Sequence, residues 1–113
     1  MKFDDYQAQA ITTLTKDHDF GDISAELMAQ ILGLVGESGE VAEKFKKIIR
    51  DEEGELSAEA RQELLKELGD ILWYINAVAV LLDSSLAEVA ENNLGKVLSR
   101  KERGVTKGSG DSR

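Results

Sequence analysis

Four acidic residues stand out because they form two identically spaced pairs, Glu37 with Glu40 and Glu67 with Asp70. Each pair spans three residues, which places both carboxylates on the same side of an α-helix. Carboxylates this close repel one another, and packing two such pairs together raises the cost unless a cation lies between them. Because oxygen-only ligands select hard cations, the four side chains predict a site for Mg²⁺ or Mn²⁺.

The two pairs also occupy equivalent positions on two long apolar helices. When the sequence is shifted by thirty residues, the apolar stripe around Ser38 superimposes on the stripe around Leu68, and the two acidic pairs coincide. A single E-x-x-E pair is common on solvated helix faces and carries little information. Two pairs in the same register, each beside an apolar stripe, favour a metal site over a merely charged surface.

A second group of polar residues lies on the last predicted helix, where Asn93 falls in the apolar stripe and Lys96 and Arg100 follow on the same face. An amide in such a stripe needs hydrogen-bond partners, and two cations beyond it could bind phosphates. The alternative is a structural amide followed by cations that the helix dipole favours. Tyr74, one turn after Asp70, borders either a nucleobase or the protein core.

Length and composition limit the class of protein. The 113 residues fit one domain, contain no cysteine and carry a net charge of −8. Disulfides and thiolate metal sites are excluded, and the acidic balance disfavours binding to a nucleic-acid polymer. No apolar run is long enough to span a membrane, so we expect a cytoplasmic protein without a membrane partner.

Four helices must position these residues. Proline is absent, and apolar residues recur at three- and four-residue steps over segments of about 4–16, 25–50, 58–82 and 86–103. Asp4 with Gln7 opens the first helix, a loop over residues 17–23 follows it, and Ser24, Ser57 and Ser85 cap the other three. We predict one all-α domain over residues 1–103 and a flexible glycine- and serine-bearing tail over residues 104–113.

The third helix is apolar nearly all round towards its end, with Trp73, Val80 and Leu81 outside the main stripe. A helix of this kind lies at the centre of a fold or in a subunit interface. We therefore expect a homo-oligomer, either a dimer or a tetramer.

The segments GLVGESGEVAEKFKK, which follows Leu32, and KELGDILWY, from Lys66 to Tyr74, resemble the MazG-like all-α nucleotide pyrophosphohydrolases. The signature of that family is E-x-x-E followed on the next helix by E-x-x-D, and Asn93 with Lys96 resembles its later N-x-x-K segment. Gly36, in a G-E-x-G-E context, makes the chain similar to the dCTP pyrophosphatase-like branch and leaves the number of metal ions open.

The resemblance implies a four-helix MazG-like bundle completed by oligomerisation. It further implies Mg²⁺-dependent hydrolysis of nucleoside triphosphates, ribo or deoxy, to the monophosphate and pyrophosphate, in the service of nucleotide-pool house-cleaning. The implied metal ligands and catalytic groups are Glu37, Glu40, Glu67 and Asp70. The implied substrate-binding residues are Lys47, Tyr74, Asn93, Lys96 and Arg100.

Two other classes of protein remain open on the sequence alone. In a non-catalytic helical dimerisation module, the carboxylates would be solvated and the acidic charge would only aid solubility. In a metal-dependent phosphatase of unrelated chemistry, the product would be orthophosphate in place of pyrophosphate.

Overall fold

The computed structural model describes residues 1–16 and 18–113. Its helices are α1 (Phe3–Ala10), α2 (Ala25–Asp51), α3 (Ala58–Leu81) and α4 (Leu86–Glu102), with a 3₁₀ turn at Ile11–Thr13 after α1. No β-strand occurs within the described residues, so the prediction of an all-α fold is confirmed. Asp17, the first residue of the predicted loop over 17–23, lies outside the described residues.

Three helices begin where the sequence predicts. The hydroxyl of Ser24 accepts a hydrogen bond from the Leu27 amide at 3.0 Å, and Ser57 and Ser85 accept equivalent bonds from the third residue after each. These bonds satisfy amides that the first helical turn leaves unpaired. The predicted starts of α2, α3 and α4 are therefore confirmed.

The prediction for the first helix was wrong at both ends. The helix begins after Lys2, whose amide donates to the carboxylate of Asp5 at 3.3 Å. It ends at Ala10, because the hydroxyls of Thr12 and Thr13 donate to the carbonyls of the residues three positions earlier, at 2.6 and 2.8 Å. Threonine hydroxyls compete with helical backbone bonding in this way, and a 3₁₀ turn replaces the predicted continuation to Lys16.

Helices α2 and α3 form an antiparallel hairpin. The connection contains Gly54, whose φ of 77° is in the left-handed region and whose amide donates to the Ile48 carbonyl at 3.1 Å. Gly33 of α2 lies against Tyr74 of α3, and Lys44 of α2 pairs with Glu63 near the start of α3. The middle of one helix is thereby held beside the middle of the other, where the acidic pairs are.

The remaining helices add little to this hairpin. Helix α4 packs on α3. Within the described part of the chain, α1 packs only against the 3₁₀ turn that follows it. Among the described residues, no single helix is long and apolar enough to cross a membrane, and only α3 and α4 together, with a 101° bend between them, meet that test.

The described chain is far more open than a folded monomer of its size. Its accessible surface is 9371 Å², against roughly 6,100 Å² expected for this mass. Its radius of gyration is 20.0 Å, against about 13 Å for a compact domain. Only four apolar side chains are buried in the described part: Leu27, Ile48, Leu64 and Ala79.

Candidate active site

Three carboxylates meet where the middles of α2 and α3 cross. One oxygen each from Glu37, Glu67 and Asp70 lies within 4.8 Å of the other two. Glu37 and Glu67 are half-buried, and Asp70 faces solvent. The antiparallel hairpin thus brings together three of the four acidic residues singled out in the sequence.

Glu40, the fourth of these residues, does not belong to this three-membered cluster. It lies one turn further along α2 with an exposed side chain. Its negative charge is nevertheless close enough to contribute to the raised pKa of Glu37. Glu40 therefore borders the cluster.

The cluster is electrostatically crowded at Glu37. A hydrogen bond between the Glu37 and Glu67 carboxyl groups is the main cause that raises the pKa of Glu37, followed by desolvation and by the charges of Glu67 and Asp70. The pKa of Glu67 is instead lowered, chiefly by its bond to Lys44. The cluster therefore disfavours the ionised form of Glu37, whereas Lys44 favours the ionised form of Glu67.

Lys44 is a site residue that the sequence reasoning missed. Its ammonium lies 3.1 Å from a carboxylate oxygen of Glu67 and 3.2 Å from one of Glu63. This bridge lowers the pKa of Glu67 and holds its side chain toward the cluster. The available signal was spacing, because Lys44 follows Glu37 by seven residues, two helical turns, and so shares its face.

Two aromatic side chains lie beside the carboxylates. Glu37, Asp70, Trp73 and Tyr74 line a cavity of about 350 Å³. The two aromatic rings meet edge to face, with centroids 5.1 Å apart and an 88° angle between planes. Tyr74 is half-buried and Trp73 is 59% exposed, so the role of Tyr74 beside a base or in the core stays a prediction.

The other predicted substrate-binding residues are not at this cluster within one chain. Lys47 follows Glu37 by ten residues on α2, and its charge acts on Glu43 and Asp51. Asn93 is exposed on α4.

Lys96 and Arg100 also lie far from the carboxylates. Helix α4 contacts α3 but not α2, and its axis is bent away from that of α3 by 101°. At 1.5 Å per residue along each helix, this bend separates Lys96 from Asp70 by roughly 20 Å.

The raised pKa of Glu37 gives a prediction for pH dependence. A carboxyl pKa raised by folding means that ionised Glu37 costs stability above that pKa, and the cost vanishes below the unfolded-state pKa. Without metal, Glu37→Gln should therefore be more stable than the unmodified protein at neutral pH. We expect this advantage to disappear as the pH falls from about 7 to about 4, as measured by urea denaturation in EDTA.

Glu43→Gln on the same helix is the matched control for this experiment. Lys46 lowers the pKa of Glu43, so its ionised form stabilises the fold above the unfolded-state pKa and that contribution is lost on acidification. The control should therefore differ from the unmodified protein with the opposite sign. An advantage of Glu37→Gln that is independent of pH contradicts the assignment.

Comparison with known proteins defines the class to which this site belongs. The family model for the MazG nucleotide pyrophosphohydrolase domain matches residues 17–105. The chain therefore belongs to the MazG nucleotide pyrophosphohydrolase family, whose members generally depend on a divalent metal.

The chain is also similar to a bacteriophage protein. The chain is 52% identical over 82 residues to "Gene 37 protein" of Mycobacterium phage L5, an alignment that covers 73% of this chain and 72% of the relative. No solved structure matches the chain. The family match begins after α1 and ends at Val105, so both the first helix and most of the tail lie outside it.

Proposed function

We propose that this protein is a Mg²⁺-dependent hydrolase that converts nucleoside triphosphates, ribo or deoxy, to the monophosphate and pyrophosphate. The observation that carries the proposal is the meeting of Glu37, Glu67 and Asp70 beside a cavity walled by two aromatic rings. Membership of the pyrophosphohydrolase family supports the same chemistry.

The residues fit a hard divalent cation. All three converging ligand atoms are carboxylate oxygens, and the hydrogen bond to Glu67, desolvation and the neighbouring negative charges raise the pKa of Glu37 in the absence of a cation. Mg²⁺ and Mn²⁺ favour such donors and retain coordination positions for phosphate oxygens. Glu37, Glu67 and Asp70 would hold the ion, with Glu40 as a further ligand from the adjacent turn.

When bound, the ion neutralises charge on the phosphates and activates water for attack. The protein's own residues position the substrate and the attacking water. Glu67, fixed by Lys44, orients one edge of the site, and one of the four carboxylates accepts the proton of the attacking water. The water attacks the phosphoanhydride between the α and β phosphates, and pyrophosphate leaves in line.

The cavity beside the carboxylates suits the base and sugar of the nucleotide. Tyr74 and Trp73 present ring edges and faces next to Glu37 and Asp70. Aromatic side chains stack on any nucleobase, and the pocket shape then selects among bases. The dCTP pyrophosphatase-like branch suggested by the context of Gly36 stays a prediction on this point.

We further propose that the working form is a homo-oligomer, a dimer or a tetramer. The excess surface of the described chain, on the order of 3,000 Å², is more than one standard protein interface buries on each side. Trp73, Val80 and Phe3 are among the large apolar side chains left more than half exposed. A second copy that brings its α4 towards these carboxylates would place Lys96 and Arg100 near the substrate phosphates.

The proposed setting is the nucleotide pool of the cytoplasm, where such an enzyme removes triphosphates. The net charge of −8 supports a small substrate that carries its own Mg²⁺, in preference to a nucleic-acid polymer. The alternative proposal is a non-catalytic helical dimerisation module, which the large exposed apolar surface favours.

One experiment separates these proposals. The protein is incubated with a panel of ribo- and deoxynucleoside triphosphates in Mg²⁺ or in EDTA, and released pyrophosphate and orthophosphate are measured separately. We expect pyrophosphate only, and only with Mg²⁺, together with a Mg²⁺-dependent rise in melting temperature because the ion binds the folded state. Orthophosphate as the product would indicate a phosphatase, and no product with no thermal shift would indicate the dimerisation module.

A further inference from the structure

The C-terminal tail folds back onto α4 and covers Arg100. Gly104, with φ of 74°, ends the helix, and the Val105 amide donates to the Arg100 carbonyl at 2.9 Å while the Gly104 amide donates to Lys101 at 3.2 Å. This pair of bonds is a Schellman motif, which reverses the chain direction. The tail therefore returns along the face of α4 that carries Lys96 and Arg100.

The carboxylate of Asp111 then pairs with both cations, Lys96 and Arg100. Its carboxylate lies 2.7 Å from the Lys96 ammonium and 3.2 Å from Nη2 of Arg100, and its backbone carbonyl accepts from the same Nη2 at 2.6 Å. Lys96 is the main cause of the lowered pKa of Asp111 and Arg100 the next. Chemically, an anionic oxygen held by a lysine and an arginine is the arrangement that binds a phosphate group.

Two features show that Asp111 fills this site incompletely. Arg100 is only 8% exposed, yet its Nε is buried and has no hydrogen-bond partner. Asp111 itself is 84% exposed, so its ion pairs face solvent and are weak. A phosphate group, with more acceptor oxygens and more charge than one carboxylate, can satisfy donors that Asp111 leaves unpaired.

Hydrogen bonds within the tail hold Asp111 beside the two cations. The guanidinium of Arg113 donates to the carbonyls of Val105, Thr106 and Gly110, at 3.2, 3.2 and 2.6 Å. These bonds close residues 105–113 into a loop around a single side chain. Asp111 is thereby presented to the cations by a preformed loop, which lowers the entropy cost of the contact.

We propose that the tail is an internal competitor, in which Asp111 mimics a phosphate and must be displaced before Lys96 and Arg100 bind polyphosphate. The inference rests on the proposed function only for the identity of the displacing ligand, the substrate or the pyrophosphate product. Asp111 and Arg113 lie outside the family match, which ends at Val105. Tail closure would weaken the apparent affinity for polyphosphate, because the apparent Kd equals the intrinsic Kd divided by the fraction of molecules with an open tail.

The test measures binding of inorganic tripolyphosphate by calorimetry, with EDTA present so that the carboxylate site takes no part. We expect Asp111→Asn to bind about three- to tenfold more tightly than the unmodified protein, because the closed form loses its charge-assisted bonds. Glu102→Gln, which removes one negative charge from the last turn of α4, is the matched control and should change affinity by less than about twofold. Arg100→Gln should abolish binding.

A second readout follows the tail directly. The amide resonances of Gly108 and Gly110 should shift when tripolyphosphate is added, because the loop leaves α4, and should already lie at the shifted positions in Asp111→Asn. The proposal is overturned if Asp111→Asn binds no more tightly than Glu102→Gln, if these resonances do not move at saturation, or if Arg100→Gln binds unchanged. None of these results depends on hydrolysis, so failure of the tail proposal and failure of the Mg²⁺-dependent activity are distinguishable.

Discussion

Replacing Glu67 with glutamine should lower pyrophosphate release by at least about a hundredfold at saturating Mg²⁺ and leave the helical fold intact. Glu67 links the cluster to Lys44, because its carboxyl group bonds to that of Glu37 and also pairs with the Lys44 ammonium at 3.1 Å. Glutamine keeps the shape but loses the negative charge that a divalent cation needs. The same substitution relieves repulsion at Glu37 but also removes the ion pair with Lys44, so the net change in melting temperature in EDTA should be small.

Glu63→Gln provides the matched control for this prediction. Glu63 lies one turn earlier on α3 and shares Lys44 with Glu67, at 3.2 Å, but it lies outside the three-carboxylate cluster. Its replacement removes the same charge from the same lysine, and activity should stay within a few-fold of the unmodified protein. The assay is pyrophosphate release with each nucleotide accepted by the unmodified enzyme. Undiminished turnover by Glu67→Gln would remove the chemistry from this cluster.

Replacing Gly33 with alanine should destabilise the protein by about 1–3 kcal/mol, the cost of forcing extra atoms into a packed contact. A Cβ at this position would lie 2.9 Å from Cδ1 and 2.5 Å from Cζ of Tyr74, and nearer still to Cε1. The clash is with the body of an aromatic ring, so either the ring or the helix spacing must shift. Because Tyr74 also lines the cavity beside Glu37 and Asp70, the KM for nucleotide should rise together with the loss of stability.

Gly39→Ala on the same helix is the appropriate comparison. Nothing lies within 4 Å of a Cβ at Gly39. Alanine there should therefore stabilise α2 by up to about 1 kcal/mol through helix propensity alone. Urea denaturation of both variants measures the contrast, and adding Tyr74→Ala to Gly33→Ala should recover part of the lost stability. Equal effects of the two alanines would show that Tyr74 does not pack on Gly33.

The helices were predictable because their signals are local. Ser24, Ser57 and Ser85 each mark a helix start by a bond to an amide three residues away, and apolar periodicity then carries the helix onward. The predicted end of the first helix was wrong for an equally local reason. The hydroxyls of Thr12 and Thr13 donate hydrogen bonds to backbone carbonyls at a place where periodicity alone favours continuation of the helix. Such competition between side chain and backbone is difficult to weigh from composition.

The sequence predicted some residues of the site, and only the structure showed the others. The matching registers of the acidic pairs identified Glu37, Glu67 and Asp70 as partners, since spacing along a helix fixes which face a residue occupies. Lys44 escaped notice because its importance comes from Glu63 and Glu67 on the facing helix. Only the structure shows that the ring of Tyr74 packs against Gly33.

The sequence by itself determined the helical class, the family and the acidic residues, because helix periodicity and motif spacing are properties of neighbouring positions in the chain. Only the tertiary structure decided that the hairpin is antiparallel, that Glu40 stands beside the cluster, and that Lys96 and Arg100 bind Asp111 far from the carboxylates within one chain. These outcomes depend on the direction of one turn, the 101° bend between α3 and α4, and the path of the tail. Each brings together residues distant in sequence, and packing between elements sets that proximity.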